Sequence, residues 1–206
     1  MRESERSYGG RSAAERAAVR RERLVAATIA RLAGGGEPGT TMTAICAEAG
    51  LTERYFYESF RNRDEAMVAA LDSVATEMTA AALSALTEHA GDPSRQVRAA
   101  ITAVVDLIGD SPAKGRVAVV ESTGTAALRA RRHQLLAGFA ELVGDEAQHV
   151  FGAAAWPPER ARLHGLLFAA GFAEMLASWL GEELPLSRAE LVDLGSDLLH
   201  AVQQRR

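Results

Sequence analysis

The sequence predicts an all-α fold: a small N-terminal helical unit joined to a larger helical body. Three observations carry that expectation. Apolar residues recur three and four positions apart along most of the chain, from Leu24-Val25 to Leu198-Val202, which is the period of a helix with one buried face. Glycines, prolines and capping residues cut this pattern into about nine segments. The one run with strand character, Val117-Ala118-Val119-Val120, has no visible partner strand, and an isolated short strand is not a stable unit. It reads as a short helix.

In chain order, residues 1–14 read as a flexible tail. Leu24, Val25, Thr28, Ile29 and Leu32 then form one stripe, ended by Gly34-Gly35-Gly36. A short segment from Thr41 to Ala49 is stopped by Gly50, and residues 51–60 form the next helix. Asn62 caps a long helix, with Glu65 three residues on to complete a capping box. Met67, Leu71, Val74, Met78, Ala82 and Leu86 keep one face of that helix apolar until Gly91. Asp92-Pro93 and Ser111-Pro112 each open a helix, because proline suits the first helical position. The first of these carries Val97, Ile101, Val104 and Ile108 on one face.

Residues 125–151 align Leu128, Leu135, Phe139, Leu142 and Val150, and Trp156-Pro157-Pro158 breaks the chain. Two helices remain, 158–180 and 187–204, the second opened by the capping box Ser187 to Glu190. The first is apolar on more than one face, so it must be covered on more than one side. Gly165, Ala169, Ala173 and Ala177 would let a neighbouring helix come close. The pair is either central to the monomer core or half of a dimeric four-helix bundle.

With 48% apolar and 24% charged residues among 206, the chain can bury a sizeable core. Residues 1–64 carry a net charge of +2 and the remaining 142 carry −6, an asymmetry that suits an anion-binding N-terminal part on a mildly acidic body. No apolar run reaches the roughly 20 residues of a membrane span, and MRESERSYGGR lacks a signal peptide's apolar segment. The expectation is a cytoplasmic protein without a membrane partner. A lone cysteine, Cys46, leaves no internal disulfide and no CxxC metal pattern; it reads as a structural thiol. No cofactor or metal is expected.

The stretch LTERYFYESFRNRDE, residues 51–65, holds four of the chain's eleven aromatic residues. On a helix, Phe56 and Phe60 share a face and can join Ile45, Ala49 and Leu51 in a small core. Tyr55 and Tyr57 lie about 100° to either side of Phe56, so both cannot be buried with it. Two short helices separated by a glycine turn make the pattern of a helix-turn-helix.

The run TTMTAICAEAGLTERYFYESFRNRDEAM resembles the DNA-binding motif of the tetracycline-repressor (TetR) family. The matching positions are Thr41, Ile45-Cys46, Ala49-Gly50-Leu51-Thr52, Tyr57, Phe60 and Arg61-Asn62-Arg63-Asp64. Arg54 stands where a small residue is common and Ser59 where an aromatic is frequent, departures that bear on the operator sequence more than on the fold. The close match spans roughly residues 20–68. The resemblance implies a three-helix DNA-binding domain over 15–64 and an effector-binding and dimerisation domain over 65–206.

It also implies roles. Thr41, Tyr57 and Arg63 match positions that contact phosphates; Thr43, Thr52, Glu53, Arg54, Tyr55 and Ser59 match those near base edges. Hydroxyls and guanidiniums suit phosphate oxygens, while an exposed helix face can read the major groove. Arg61 reads as a further DNA contact or as a solvated arginine; Thr52 also fits an N-cap, and Tyr57 a lid over the small core. The implied partners are a double-stranded operator, a second copy of the chain and an unknown small-molecule effector. Candidate pocket residues are Met78, Ile101, Val104, His133, Phe139, His164, Phe168 and Met175, facing inward on the middle helices, and a mainly apolar pocket suits an apolar or aromatic compound. The resemblance turns the last two helices into a dimer interface, with Leu163, Leu167, Ala170, Ala177, Leu191, Leu194, Leu198 and Val202 as its residues.

A helical-bundle enzyme, or a small-molecule-binding protein without DNA binding, is the alternative. Glu146-Ala-Gln-His149 has the ExxH spacing of di-iron bundles, which need two such motifs, and no second is present. His133 and His164 fall in apolar helices and read as core or pocket-lining residues. No Gly-rich phosphate loop or nucleophile elbow occurs. The chain is therefore not expected to be an enzyme.

Overall fold

The computed structural model describes residues 12–203. Among them are nine α-helices and no strands: α1 (Ala13–Gly39), α2 (Met42–Ala49), α3 (Glu53–Ser59), α4 (Arg63–Glu88), α5 (Pro93–Asp110), α6 (Pro112–Gly115), α7 (Ala126–Phe151), α8 (Pro158–Leu180) and α9 (Arg188–Gln203). The Val117–Val120 run is helical, but as a π turn over Arg116–Val120 that passes into a 3₁₀ turn at Glu121–Thr123.

The predicted tail lies mostly outside the described residues, and its last part is corrected. Ser12 caps α1 in a full capping box: its hydroxyl accepts from the Glu15 N–H at 3.1 Å and its own N–H donates to the Glu15 carboxylate. Ala13 and Ala14 are therefore helical. At the other end α1 runs through Gly34 and Gly35 and breaks only at Gly36, where φ is +60° and ψ −167°, a conformation open to glycine and little else. Glu37-Pro38-Gly39 forms one more turn. The box predicted at Asn62 is half formed. Its side chain accepts from the Glu65 N–H at 2.9 Å, but the Glu65 carboxylate takes the backbone N–H and Nε of Arg61.

Two cores organise the chain, linked by α4. In the first, Leu24 and Val25 of α1, Ile45, Cys46 and Ala49 of α2, Phe56 of α3, Phe60 at its C-cap and Ala66 of α4 are buried together. Leu51 packs against them, half-buried. The second gathers Val97, Ile101, Val104, Val105 and Ile108 of α5 with Phe168, Phe172 and Leu176 of α8 and Leu191 and Val192 of α9. Between them Met67, Leu71 and Val74 of α4 meet Leu32 of α1, Val117 of the π turn and Leu128 of α7. One helix thus has its first turn in the small core and its middle in the body.

The close helix approach expected from Gly165 exists inside the monomer. A Cβ there would stand 2.7 Å from the Ala140 carbonyl oxygen, and one at Gly144 3.2 Å from the Arg162 nitrogen. Glycine therefore sets the α7–α8 crossing. By length and hydropathy α4 and α8 could each cross a bilayer. Here α4 carries ion pairs to the body along its outer side, Asp72 with Arg131 at 2.5 Å and Glu77 with Lys114 at 2.7 Å.

Candidate nucleic-acid interface and effector cavity

The helix-turn-helix is built from local chemistry and one long-range cap. Thr41 holds the start of α2, its hydroxyl accepting from the Ala44 N–H at 3.2 Å. Gly50 ends α2 in the left-handed region, φ +61°, as a helix C-terminus favours. Arg23, from α1, reaches the Ala49 carbonyl at 2.6 Å, placing a cation where the helix dipole is negative. Thr52 stands at the N-cap of α3 in extended conformation, yet its hydroxyl makes no cap bond. The N-cap reading of Thr52 is corrected to that extent.

On α3, Phe56 is buried at the T-shaped edge of Tyr57 and 5.6 Å from Phe60. Glu53, Arg54 and Tyr57 are exposed, Tyr57 by 60%. Tyr57 is no lid. Arg54 is mostly in water and pairs with Glu58 at 3.2 Å. Thr43 is exposed on α2 and Ser59 half-buried at the end of α3. Tyr55 departs from the outward-facing expectation: it is half-buried, and the Arg20 guanidinium lies 4.5 Å from its ring centre. Arg21 covers Phe60 similarly at 4.9 Å. Such cation–π contacts join α1 to α3 and to the residue that follows it.

The two terminal arginines differ. Arg61 is almost fully exposed and holds Glu65; its hydrogen bonds keep the Glu65 carboxyl below the ordinary glutamate range. Arg63, the first residue of α4, is half-buried. It pairs with the Glu37 carboxylate and donates to the Glu37 carbonyl at 3.4 Å, so it clasps the last turn of α1. To touch a phosphate it must release or share that partner. Burial, and next the nearby Glu53 charge, push the Cys46 thiol up, which leaves it a poor nucleophile.

A cavity of about 320 Å³ opens in the body between α4, α5, α7 and α8 and the π turn. Of the eight predicted pocket residues, Met78, Ile101, Val104, Phe139 and Phe168 line it. The other three are corrected. His133 is exposed on the outer side of α7. His164 packs edge-on to Trp156, 5.3 Å away, and Met175 packs half-buried on the body core. Periodicity placed these three on apolar helices but could not say which neighbour each would meet. The sequence reading missed Thr79, Arg132, Phe172 and the π-turn residues Ala118 and Val119. A second chamber of about 70 Å³ adjoins across Phe139 and Phe168, which line both.

The predicted dimer face divides. Leu163, Leu167, Leu194 and Leu198 are exposed, together with Leu166, which the sequence reading did not single out. Ala170 is half-buried. Leu191 is fully buried in the monomer, and Val202 and Ala177 pack against the same core. Leu191 is corrected to an interior position, while Ala177 and Val202 are half-buried. Glu146 and His149, the ExxH pair, lie 3.7 Å apart, Glu146 also lining the second chamber, and no cluster of three metal-binding side chains occurs among the described residues.

The arrangement is a helix-turn-helix carried by a helical body with an apolar cavity. No family model and no curated protein matches the chain. Solved structures do. The fatty acid degradation regulator FadR from Bacillus halodurans superposes with a TM-score of 0.76 at 15% identity, covering 90% of this chain and 97% of that one. A TetR-like transcriptional regulator from Rhodococcus sp. RHA1 gives 0.65 at 18% identity over 88% and 94%. FadR from Bacillus subtilis, solved with stearoyl-CoA, gives 0.69 at 15% identity over 88% and 96%. The chain has the all-α fold of TetR-like regulators.

Proposed function

We propose that the protein is a sequence-specific DNA-binding transcriptional regulator, a cytoplasmic homodimeric repressor released from a near-palindromic operator by a small molecule. The observation that carries this is α4. Its first turn belongs to the helix-turn-helix core and its middle, at Leu71, Ala75, Met78 and Thr79, walls the cavity. An occupant that prefers one placement of α4 shifts the reading heads, because only differential affinity for two states can do so. The π turn offers a second connection. Ala118 and Val119 line the cavity, while Arg116 of the same turn donates to the Ala33 carbonyl of α1 at 3.1 Å and pairs with Glu121.

In this reading Glu53, Arg54 and Tyr57 enter the major groove with Thr43, Thr52 and Ser59 nearby, and Thr41 and Arg61 meet phosphates. Tyr55 and Arg63 reach DNA only by leaving Arg20 and Glu37. Dimerisation through Leu163, Leu166, Leu167, Leu194 and Leu198 sets two α3 helices in successive major grooves, about 34–36 Å apart. The division into reading head and body falls near residue 64, inside α4. The part of the effector that enters the cavity is mainly apolar, as the cavity wall is, and FadR from Bacillus subtilis was solved with stearoyl-CoA, which carries a long apolar chain.

A titration of the protein against duplexes from the DNA flanking its own gene tests the proposal. A band or anisotropy shift on one near-palindromic segment, absent on its scrambled form at moderate salt, is expected. Absence of binding to any duplex at low salt would remove the DNA-binding reading and favour a helical small-molecule-binding protein.

A further inference from the structure

The cavity wall is polar at two side chains, Thr79 and Arg132. The Thr79 hydroxyl donates to the Ala75 carbonyl at 2.9 Å, so toward the cavity it can only accept. Arg132 is the one charged side chain in the wall, and it is 17% exposed. It precedes Leu135, Leu136 and Phe139 on the cavity face of α7. Its partner is Glu174 of α8, 69% exposed and outside the wall. The guanidinium cannot shed its charge and needs an anion beside it. The Glu174 carboxylate, already mostly in water, can leave at little cost.

We propose that the cavity takes a linear amphiphile with an anionic head, and that Arg132 selects the head by exchanging Glu174 for the ligand's carboxylate or phosphate. This rests on the cavity being the effector site. The exchange replaces one ion pair by another, so the partial desolvation of Arg132 is already present in the free protein. The apolar chain adds burial. A neutral alcohol leaves the Arg132–Glu174 pair in place and gains only a neutral acceptor's hydrogen bond from the remaining guanidinium N–H groups, weaker than a charge-assisted one; a cationic head stands against Arg132. At about 30 Å³ per water-sized group, a space of about 320 Å³ holds about ten such groups and the adjoining 70 Å³ about two more. With the head group taking about two of these places, the fitting chain has about ten carbons.

Calorimetric titrations of the full chain with decanoate, decyl phosphate, 1-decanol and decylamine test this. Decanoate or decyl phosphate is expected to bind at least about tenfold more tightly than 1-decanol, as a charge-assisted hydrogen bond allows. The better of the two anions identifies the head group. Arg132→Met, similar in length and apolar, should bring decanoate and 1-decanol to equal affinity. Glu174→Gln, an exposed change that does not threaten the fold, should tighten anion binding severalfold. Equal binding of decanoate and 1-decanol to the wild type would overturn the proposal while leaving an effector cavity. So would an anion preference retained in Arg132→Met, or unchanged anion affinity in Glu174→Gln. Binding of no probe at all would overturn it together with the effector reading. If Arg132→Met does not fold, the wild-type preference and Glu174→Gln still decide.

Discussion

A carboxylate placed at Leu167 should convert the protein to a monomer without unfolding it. Leu167 is 68% exposed and Leu163, one turn earlier on α8, 62% exposed; Leu194 and Leu198 of α9 are exposed too. In the isolated chain Leu167→Glu removes few contacts, so its effect on folding should stay within about 0.5 kcal/mol. In a two-fold dimer the residue enters the interface twice. Burying a leucine is worth about 1.5–3 kcal/mol, so two copies lose about 3–6 kcal/mol, before any penalty for burying the charge. That is a weakening of association by roughly 10² to 10⁴. Sedimentation velocity across a concentration series, paired with thermal melts followed by circular dichroism, reads both quantities. Leu191→Glu is the control, because Leu191 is fully buried and a lone carboxylate there should prevent folding. A wild type monomeric at micromolar concentration, or a Leu167→Glu protein that still dimerises as tightly, would refute the assignment of this face and the near-palindromic operator with it.

Other expectations test the reading head and its coupling. Arg54→Ala should lose about 1–3 kcal/mol on the operator and little on random DNA if it makes a bidentate base contact; titrations on operator and scrambled duplexes separate the two. Arg61→Ala should weaken all duplexes alike and lower the salt slope by about one unit, whereas Glu37→Gln should tighten binding by freeing Arg63; an unchanged affinity there would mean that Arg63 serves the fold alone. Ala70→Pro, at a buried position of α4, should break the helix at a local expense of about 3 kcal/mol or more and uncouple effector from DNA in any folded fraction. An unchanged effector response would rule out α4 as the lever. The Glu65 carboxyl is lowered in the folded state, so its contribution is present above the unfolded glutamate value and is lost as pH falls through the folded one. Acid melts of Glu65→Gln should therefore lack that part of the pH dependence, and an identical profile would show that the Arg61 contact contributes nothing.

Helix positions and the small core were legible because both follow from local periodicity. Phe56 and Phe60 share a face by their spacing, and Gly50 and Pro93 mark ends whose chemistry is local. What remained hidden depends on contacts between distant residues. Nothing near Tyr55 announces Arg20, and nothing near Arg63 announces Glu37, 26 residues earlier. The pocket residues divide on the same ground. Phe139 and Phe168 bridge two chambers while His133, six positions from Phe139, faces water, because a helix turns by about 100° per residue and its neighbours decide which side is inner. Leu191 and Leu194 read alike as members of one stripe, yet one is core and the other is surface.

The same long-range contacts bear on how a cavity occupant could reach the reading head. The last turn of α1, at Glu37, is held by Arg63 of α4, while Gly36 lies against Glu121, whose carboxylate Arg116 also holds. Arg116 and Val119 belong to one π turn, a geometry with poorer packing that recurs at functional sites. Moving Val119 outward to admit a ligand therefore pulls on the segment that holds Glu121 and the α1 end, and moving Met78 shifts the helix that begins at Arg63. Both displacements arrive at the Glu37–Arg63 contact from opposite sides. Displacement of α4 alone moves Arg63 against Glu37, and displacement of the π turn adds to it through the α1 end. The ion pair is thus where the two routes add, and it is also the contact that binds the only half-buried arginine among Arg54, Arg61 and Arg63.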